Sequence, residues 1–176
     1  MQLGTHTPGP PGPLEPAGGV RLWDEHVPQD PAQVRAQIGR MEAALRQHPD
    51  AVHGDSDQFP LTHSFAEGCY VRQIFLPKGA VLTGKIHKHA HPNFLMSGEV
   101  LVVTEHGGRE HLTAPRAMIS QPGTKRAIVA LADTVWITVH VTNETDLAKI
   151  EAEVIAPDYG ALALCQAAPL ALEEPL

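Results

Sequence analysis

The chain has 176 residues, enough for one domain with a real core, and its 43% apolar share is that of a globular protein rather than a disordered one. A formal charge of −7 with neutral histidines, and no run of Lys or Arg, argues against nucleic acid and against anionic membranes as partners, because phosphate recognition needs clustered cations. No window of 18 apolar residues predicts a membrane span, and the two distant cysteines, Cys69 and Cys165, make neither a disulfide scaffold nor a short metal motif. A reducing, cytoplasmic setting is expected.

In chain order, residues 1–29 read as a flexible arm. Its first twenty residues are dominated by Pro and Gly, which cannot bury enough apolar surface to order themselves. The opening "MQLGTHTPGPPGPLEPAGG" also lacks the cationic and apolar regions of a secretory leader. Residues 30–48 carry a helix. Asp30 is placed to cap it and Pro31 to occupy its first position, while Val34, Ile38, Met41 and Leu45 form one apolar stripe before Pro49. This amphipathic helix packs on the main domain or on a partner.

From about 59 to 141 the texture changes to short β-type runs separated by Gly, Pro and Asp turns. "YVRQIFL", "VLVVTE", "RAIVAL" and "TVWITVHV" are the clearest. Regular short strands with no intervening helix predict an antiparallel sandwich or barrel and exclude βαβ units. A second helix is expected from Thr142 or Asn143, with Leu147, Ile150 and Val154 on one face, acids in its first turn and Pro157 as its stop. The rest of 142–176 is an Ala/Leu-rich tail that packs on the barrel or lies in an oligomer interface. A homodimer is the expected assembly.

The chemistry concentrates in "KIHKHAHPNFLMSGE", residues 85–99. Histidines scattered elsewhere, such as His6, His48, His63 and His106, read as surface or hydrogen-bonding residues. His87, His89 and His91 alternate, and a strand sends alternate side chains to one face. Neighbouring members of such a row converge on one metal ion without distortion. His87 and His91, about 13 Å apart on a straight strand, share an ion only if the chain bends, and Pro92 marks where the strand ends. In "TVWITVH", alternation puts Trp136, Thr138 and His140 on one face and Ile137, Val139 and Val141 on the other. Both sets are largely apolar, so the strand is expected to be buried on both faces. A buried His140 then needs a partner. That partner is a metal, or the rival is a cap on the next helix or a hydrogen bond to Thr142 or Glu144.

Residues 79–126 resemble a cupin, a small β-barrel family with two motifs. The first, a glycine, a His-x-His pair, a glutamate and a glycine turn, is matched by "GKIHKHAHPNFLMSGEV" with Gly98 in the turn. The second, a Pro-Gly turn followed by a histidine, is matched by "QPGTKRAIV". The resemblance implies an all-β fold, a cupin-type antiparallel β-barrel (jelly roll), here with an N-terminal and a C-terminal α-helix. It also implies a divalent transition metal, Fe, Zn, Ni or Mn. The cupin glutamate is missing: counted back from Gly98 its place is taken by His91, counted forward from the histidines by Asn93. Arg126 stands where the second-motif histidine would be. An all-histidine site like that of the thiol-dioxygenase-like branch is therefore expected, drawn from His87, His89 and His91, with His140 filling the vacancy.

Around it, Arg126 is a candidate for a substrate carboxylate or phosphate, or else an exposed turn residue beside Lys125. Trp136 walls the pocket or is simply core, and Asn93 is a third substrate-binding candidate. "DTVWITVH" and "ETDLAKIEAEVIAP" are also similar to small cupin proteins carried by phages and prophages. No catalytic residue is assigned, since no Ser-His-Asp set, phosphate-cradling loop or carboxylate pair is present. Two functions follow. One is a metal-dependent enzyme of oxygenase, isomerase or lyase type acting on a small molecule. The other is a non-catalytic binding or assembly module.

Overall fold

A computed structural model describes residues 30–52 and 55–167. The arm expected over 1–29 and the end of the tail lie outside the described residues.

The first helix, α1, spans Pro31–Gln47. The Asp30 carboxylate accepts a hydrogen bond from the Ala32 N–H at 2.9 Å, satisfying a backbone donor that the first turn leaves free. Val34, Ile38 and Met41 are buried against Val103, Ala127 and Val129 of the same chain. The apolar stripe is therefore spent within the domain.

Ten strands follow: β1 Leu61–Ala66, β2 Cys69–Leu76, β3 Val81–Thr83, β4 Ile86–His87, β5 His91–Ser97, β6 Glu99–Thr104, β7 Gly108–Thr113, β8 Arg116–Ser120, β9 Arg126–Ala130 and β10 Thr134–Val141. One sheet has the order β1-β2-β10-β5-β8 and another the order β3-β9-β6-β7, with every pairing antiparallel. With β1 set aside as an edge addition, each sheet alternates early and late strands. That interleaving is the two Greek keys of a jelly roll. The core lies between the sheets, where Leu76, Leu95 and Trp136 of the first meet Val100, Val102, Leu112 and Ile128 of the second.

Three local expectations are corrected. The run 80–91 is not one strand. It leaves β3 at Thr83, makes two residues of β4, turns over 88–90 and restarts as β5. The second helix, α2, spans Leu147–Val154, later than expected. Asp146 caps it by accepting from the Ala148 and Lys149 N–H groups, and no acid lies in its first turn. The Glu144 carboxylate instead holds the loop by accepting from the Thr145 and Asp146 N–H groups. Strand β10 is buried on its inward face alone, and Val141 is 87% exposed.

After α2 come a short strand, β11 (Ile155–Ala156), and a third helix, α3 (Tyr159–Ala167), which the tail's composition did not announce. β11 pairs with β4 in a ladder of its own. Leu162 of α3 is buried with Ile86 and Ala156, so this part of the tail packs on the barrel. A clasp on the outer face joins the terminal elements: Glu105, which is buried, accepts from Arg35 at 2.6 Å and from the Tyr159 hydroxyl at 3.1 Å.

Candidate metal centre

Three strands each deliver one histidine to the same place between the sheets. His87 ends β4, which is held from both sides: Ile155 of β11 pairs with it, and its own carbonyl accepts from the Gly123 N–H at 2.8 Å. The turn over 88–90 then reverses the chain far enough for His91, the first residue of β5, to come back over His87. Their ring centroids are 4.0 Å apart. His140 arrives on the inward face of β10, with its ring centroid 5.0 Å from each of the others. Candidate ligand nitrogens of His87, His91 and His140 all lie within 4.8 Å of one another.

His89 does not join them. It sits at the apex of the turn with its side chain exposed, and its contribution is a backbone carbonyl 3.1 Å from His91 Nδ1. In the neutral ring an Nδ1–H donated to that carbonyl leaves the lone pair on Nε2. Metal-ligating histidines are commonly oriented by just such a bond.

Burial biases all three rings toward the neutral form. Burial pushes the His87 imidazole down to about 2, with His91, His140, Arg126 and Arg72 adding repulsion. Burial likewise pushes His140 down to about 4, helped by the same kind of neighbours, and lowers His91. No carboxylate appears among the causes of any of these shifts; the one opposing influence is the His89 carbonyl, which favours a proton on His91. The Nδ1 of His87 is buried with no hydrogen-bond partner. An orphaned buried nitrogen is costly, and two more imidazoles within reach make metal coordination the chemistry this donor set fits. Such a site takes borderline transition metals rather than Ca or Mg, which prefer oxygen. The rival roles for His140 are filled by others. Thr142 donates to Glu153 at 2.7 Å and accepts from the Glu144 N–H at 3.1 Å.

Asn93 and Trp136 lie farther along the same inward rows. The Asn93 amide is fully committed: Oδ1 accepts from Trp136 Nε1 at 3.0 Å and from Thr138 at 3.3 Å, while Nδ2 donates to the His91 carbonyl at 3.2 Å and to Ser120 at 2.8 Å. It therefore fixes the site's wall and has no valence left for a ligand. Arg126 is not an exposed turn residue. It turns inward from the start of β9, donates to the Ser120 hydroxyl, and carries its guanidinium 5.6 Å from the Trp136 ring centroid. Lys125 beside it faces the other way, to Glu42 of α1 at 2.7 Å. A cavity of about 220 Å³ opens along Arg126, Trp136, Ser120, Met118, Leu112 and Val102.

Two neighbours of the cluster were passed over in the sequence. Tyr70, opposite His140 across the β2–β10 ladder, stacks on it with ring centroids 6.0 Å apart, and its hydroxyl lies 2.7 Å from His63 Nδ1. Arg72 follows Tyr70 on the same inward row. The alternation of "CYVRQIFL" carried the signal, since Tyr70, Arg72, Ile74 and Leu76 share one face.

No family model matches the chain, and no curated protein matches its sequence. Among solved structures, the chain is similar to KdgF from a Halomonas species, with a TM-score of 0.44 and 17% identity over 52% of this chain and 87% of that one. It is similar to an RmlC-like cupin from Shewanella frigidimarina, with a TM-score of 0.43 and 17% identity over 56% and 91%. A cupin superfamily protein from Desulfitobacterium hafniense gives a TM-score of 0.43 and 7% identity over 53% and 85%.

Proposed function

We propose that the protein is a metal-binding cupin. In this reading His87, His91 and His140 hold one divalent transition metal, and the neighbouring cavity takes a small molecule as substrate of a mononuclear metal-dependent enzyme of oxygenase, isomerase or lyase type. The observation that carries the proposal is the convergence of three imidazoles from three strands, two buried and His87 half-buried with an orphaned, buried nitrogen. Three protein ligands are the number that catalytic sites commonly use, and a metal so held supplies Lewis acidity and open coordination positions.

The protein's own contribution is positional. β11 and the Gly123 N–H pin His87, the His89 carbonyl orients His91, and the Asn93 network keeps β5, β8 and β10 in register beside the site. At about 220 Å³ the cavity is smaller than sites for drug-sized ligands, which suits a compact metabolite. The purely structural alternative loses its best surface, because the apolar stripe of α1 is buried on its own sheet. Among the described residues no helix is long and apolar enough to cross a membrane.

A homodimer is part of the same proposal. The outer face of the five-stranded sheet carries Val71, Phe94, Met96, Ile119, Ile137 and Val139, and no described helix covers it. Met96 and Ile119 are 54% and 60% exposed. Contiguous apolar surface of this kind marks an interface.

Elemental analysis of protein purified without a histidine tag tests the proposal. The expected result is close to one first-row transition metal per chain, lost in His87→Gln and in His140→Gln. Full occupancy in both variants, or a metal-free parent after growth in metal-supplemented medium, contradicts it.

A further inference from the structure

Of the three histidines, His87 has the least strand behind it. His91 and His140 belong to strands of seven and eight residues inside the five-stranded sheet, whereas β4 has two residues. A pairing that short does not hold itself. Its supports come from distant parts of the chain. Ile155 and Ala156 of β11 pair with His87 and Ile86, and the Val154 carbonyl accepts from the Lys88 N–H at 2.8 Å. The His87 carbonyl in turn accepts from the Gly123 N–H at 2.8 Å.

α3 backs both supports. Its Leu162 is buried with Ile86 and Ala156, and it also presses on the loop, since a Cβ on Gly123 would meet Leu162 Cδ2 at 2.9 Å. Leu162 is the one described side chain of α3 that is buried, and Leu164 is 75% exposed. Tyr159 supplies the second hold. Its hydroxyl donates to the buried Glu105 carboxylate at 3.1 Å, and its ring lies 3.8 Å beneath the Arg35 guanidinium. Burial and the Glu105 charge push that hydroxyl up to about 12, so it stays a donor. A cleft of about 280 Å³ opens at this contact, lined by Arg35, Glu105, Gly123, Tyr159 and Leu162 among others. The segment is thus tied at few points. Segments with few buried apolar contacts open at a lower free energy than the core around them.

We infer that residues 155–167 form a strap that opens and closes as a unit, latched by Tyr159 on Glu105 and by Leu162 on Gly123, and that its closed position holds His87 toward His91 and His140. The inference rests on the metal-centre reading for what the strap controls, which is retention and release of the ion. The separate opening does not need the metal. Opening takes β11 from β4 and Leu162 from Gly123, while His91 and His140 stay in their sheet. Three ligands become two, and the ion is free to leave. Glu105 and Tyr159 are then positioning residues, acting on the centre through α3, β11 and His87. Side chains that orient a ligand from outside the coordination sphere commonly tune metal affinity.

The test uses the full-length, tag-free chain with three variants. Tyr159→Phe keeps the ring under Arg35 and removes the hydroxyl, Leu162→Ala loosens the second hold, and Val100→Ala truncates the core beside the Gly98 turn as a control. Hydrogen exchange of the metal-free protein compares the Lys88 and Gly123 amides with those of Ala130 and Leu131, which donate to the Ala80 and Glu99 carbonyls within the barrel. In the parent, Lys88 and Gly123 are expected to exchange faster than the barrel pair. Tyr159→Phe and Leu162→Ala are expected to speed them by about fivefold or more, the effect of losing one hydrogen bond or its equivalent. Val100→Ala is expected to speed the barrel pair alone, because it weakens the open and closed forms alike. Equal protection of the two pairs in the parent, or Lys88 and Gly123 speeded by Val100→Ala as much as the barrel pair, overturns the separate opening. In a second arm the zinc-loaded proteins are mixed with excess chromophoric chelator. Release is expected to quicken by about fivefold or more in both strap variants, as exchange does, and to keep the parent's rate in Val100→Ala. Parental release in both strap variants overturns the control of His87. If Leu162→Ala does not fold, Tyr159→Phe decides. A parent that takes up no zinc sinks the metal-centre reading, and hydrogen exchange alone then upholds or overturns the strap, so the two fail separately.

Discussion

At the scale of single residues, the centre depends on which histidines a bent chain brings together. Strand periodicity joins 87, 89 and 91, yet the structure joins 87, 91 and 140. The reason is physical: β4 pairs with β11 over only two residues, and the turn that follows leaves His89 exposed. The requirement for a bend between His87 and His91 was legible, with Pro92 as its marker. The choice of His91 over His89 was not, because it depends on a partner strand nearly 70 residues away. His89→Ala is accordingly expected to retain metal at the parent's level, since a backbone carbonyl survives the change, whereas His91→Ala loses it; metal content per chain checks both. Asn93→Ala leaves Trp136 Nε1 and the Thr138 hydroxyl without their partner, while Ser120 keeps Arg126. A cost of about 1–3 kcal/mol is expected for each buried group left unsatisfied, read as a fall in unfolding free energy in urea.

At the scale of elements, α1 was legible to the residue because its cap, first-turn proline and apolar stripe are all local. The start of α2 was misplaced by competition. Thr142 and Asn143 look like caps, but Thr142 is committed to Glu153 and Asn143 accepts from the Gly68 N–H, leaving Asp146 as the cap. α3 was missed because Ala and Leu without a polar face give no period to read. Docking of α1 is expected to matter: Ile38→Ala, at a fully buried position, costs about 2–5 kcal/mol by equilibrium unfolding. The β5–β6 turn is as demanding. Gly98 has φ +86°, and a Cβ there would meet Thr134 Oγ1 at 2.3 Å and the Asp133 carbonyl at 2.4 Å. Gly98→Ala should therefore destabilise the protein by more than the about 1–3 kcal/mol of backbone strain alone.

At the scale of the whole molecule, regular short strands and turns made the antiparallel β class readable, and the two motifs pointed to the jelly roll. Strand order was not readable, because β10 pairs with β2 and β5 through contacts that no local pattern encodes. The uncovered apolar face of the five-stranded sheet is likewise a property of assembled strands. Sedimentation equilibrium is expected to give a dimer, and Met96→Asp with Ile119→Asp, which places charge on that face, a folded monomer. A parent that sediments as a monomer contradicts the dimer and leaves the centre untouched. The centre itself is tested most directly by diffraction from crystals of the metal-loaded protein at the metal's absorption edge. The account predicts one anomalous peak bonded at about 2.0–2.1 Å to one nitrogen each of His87, His91 and His140, with no carboxylate from the protein. A peak held by His89, a peak elsewhere on the chain, or no peak among these three rings would contradict it.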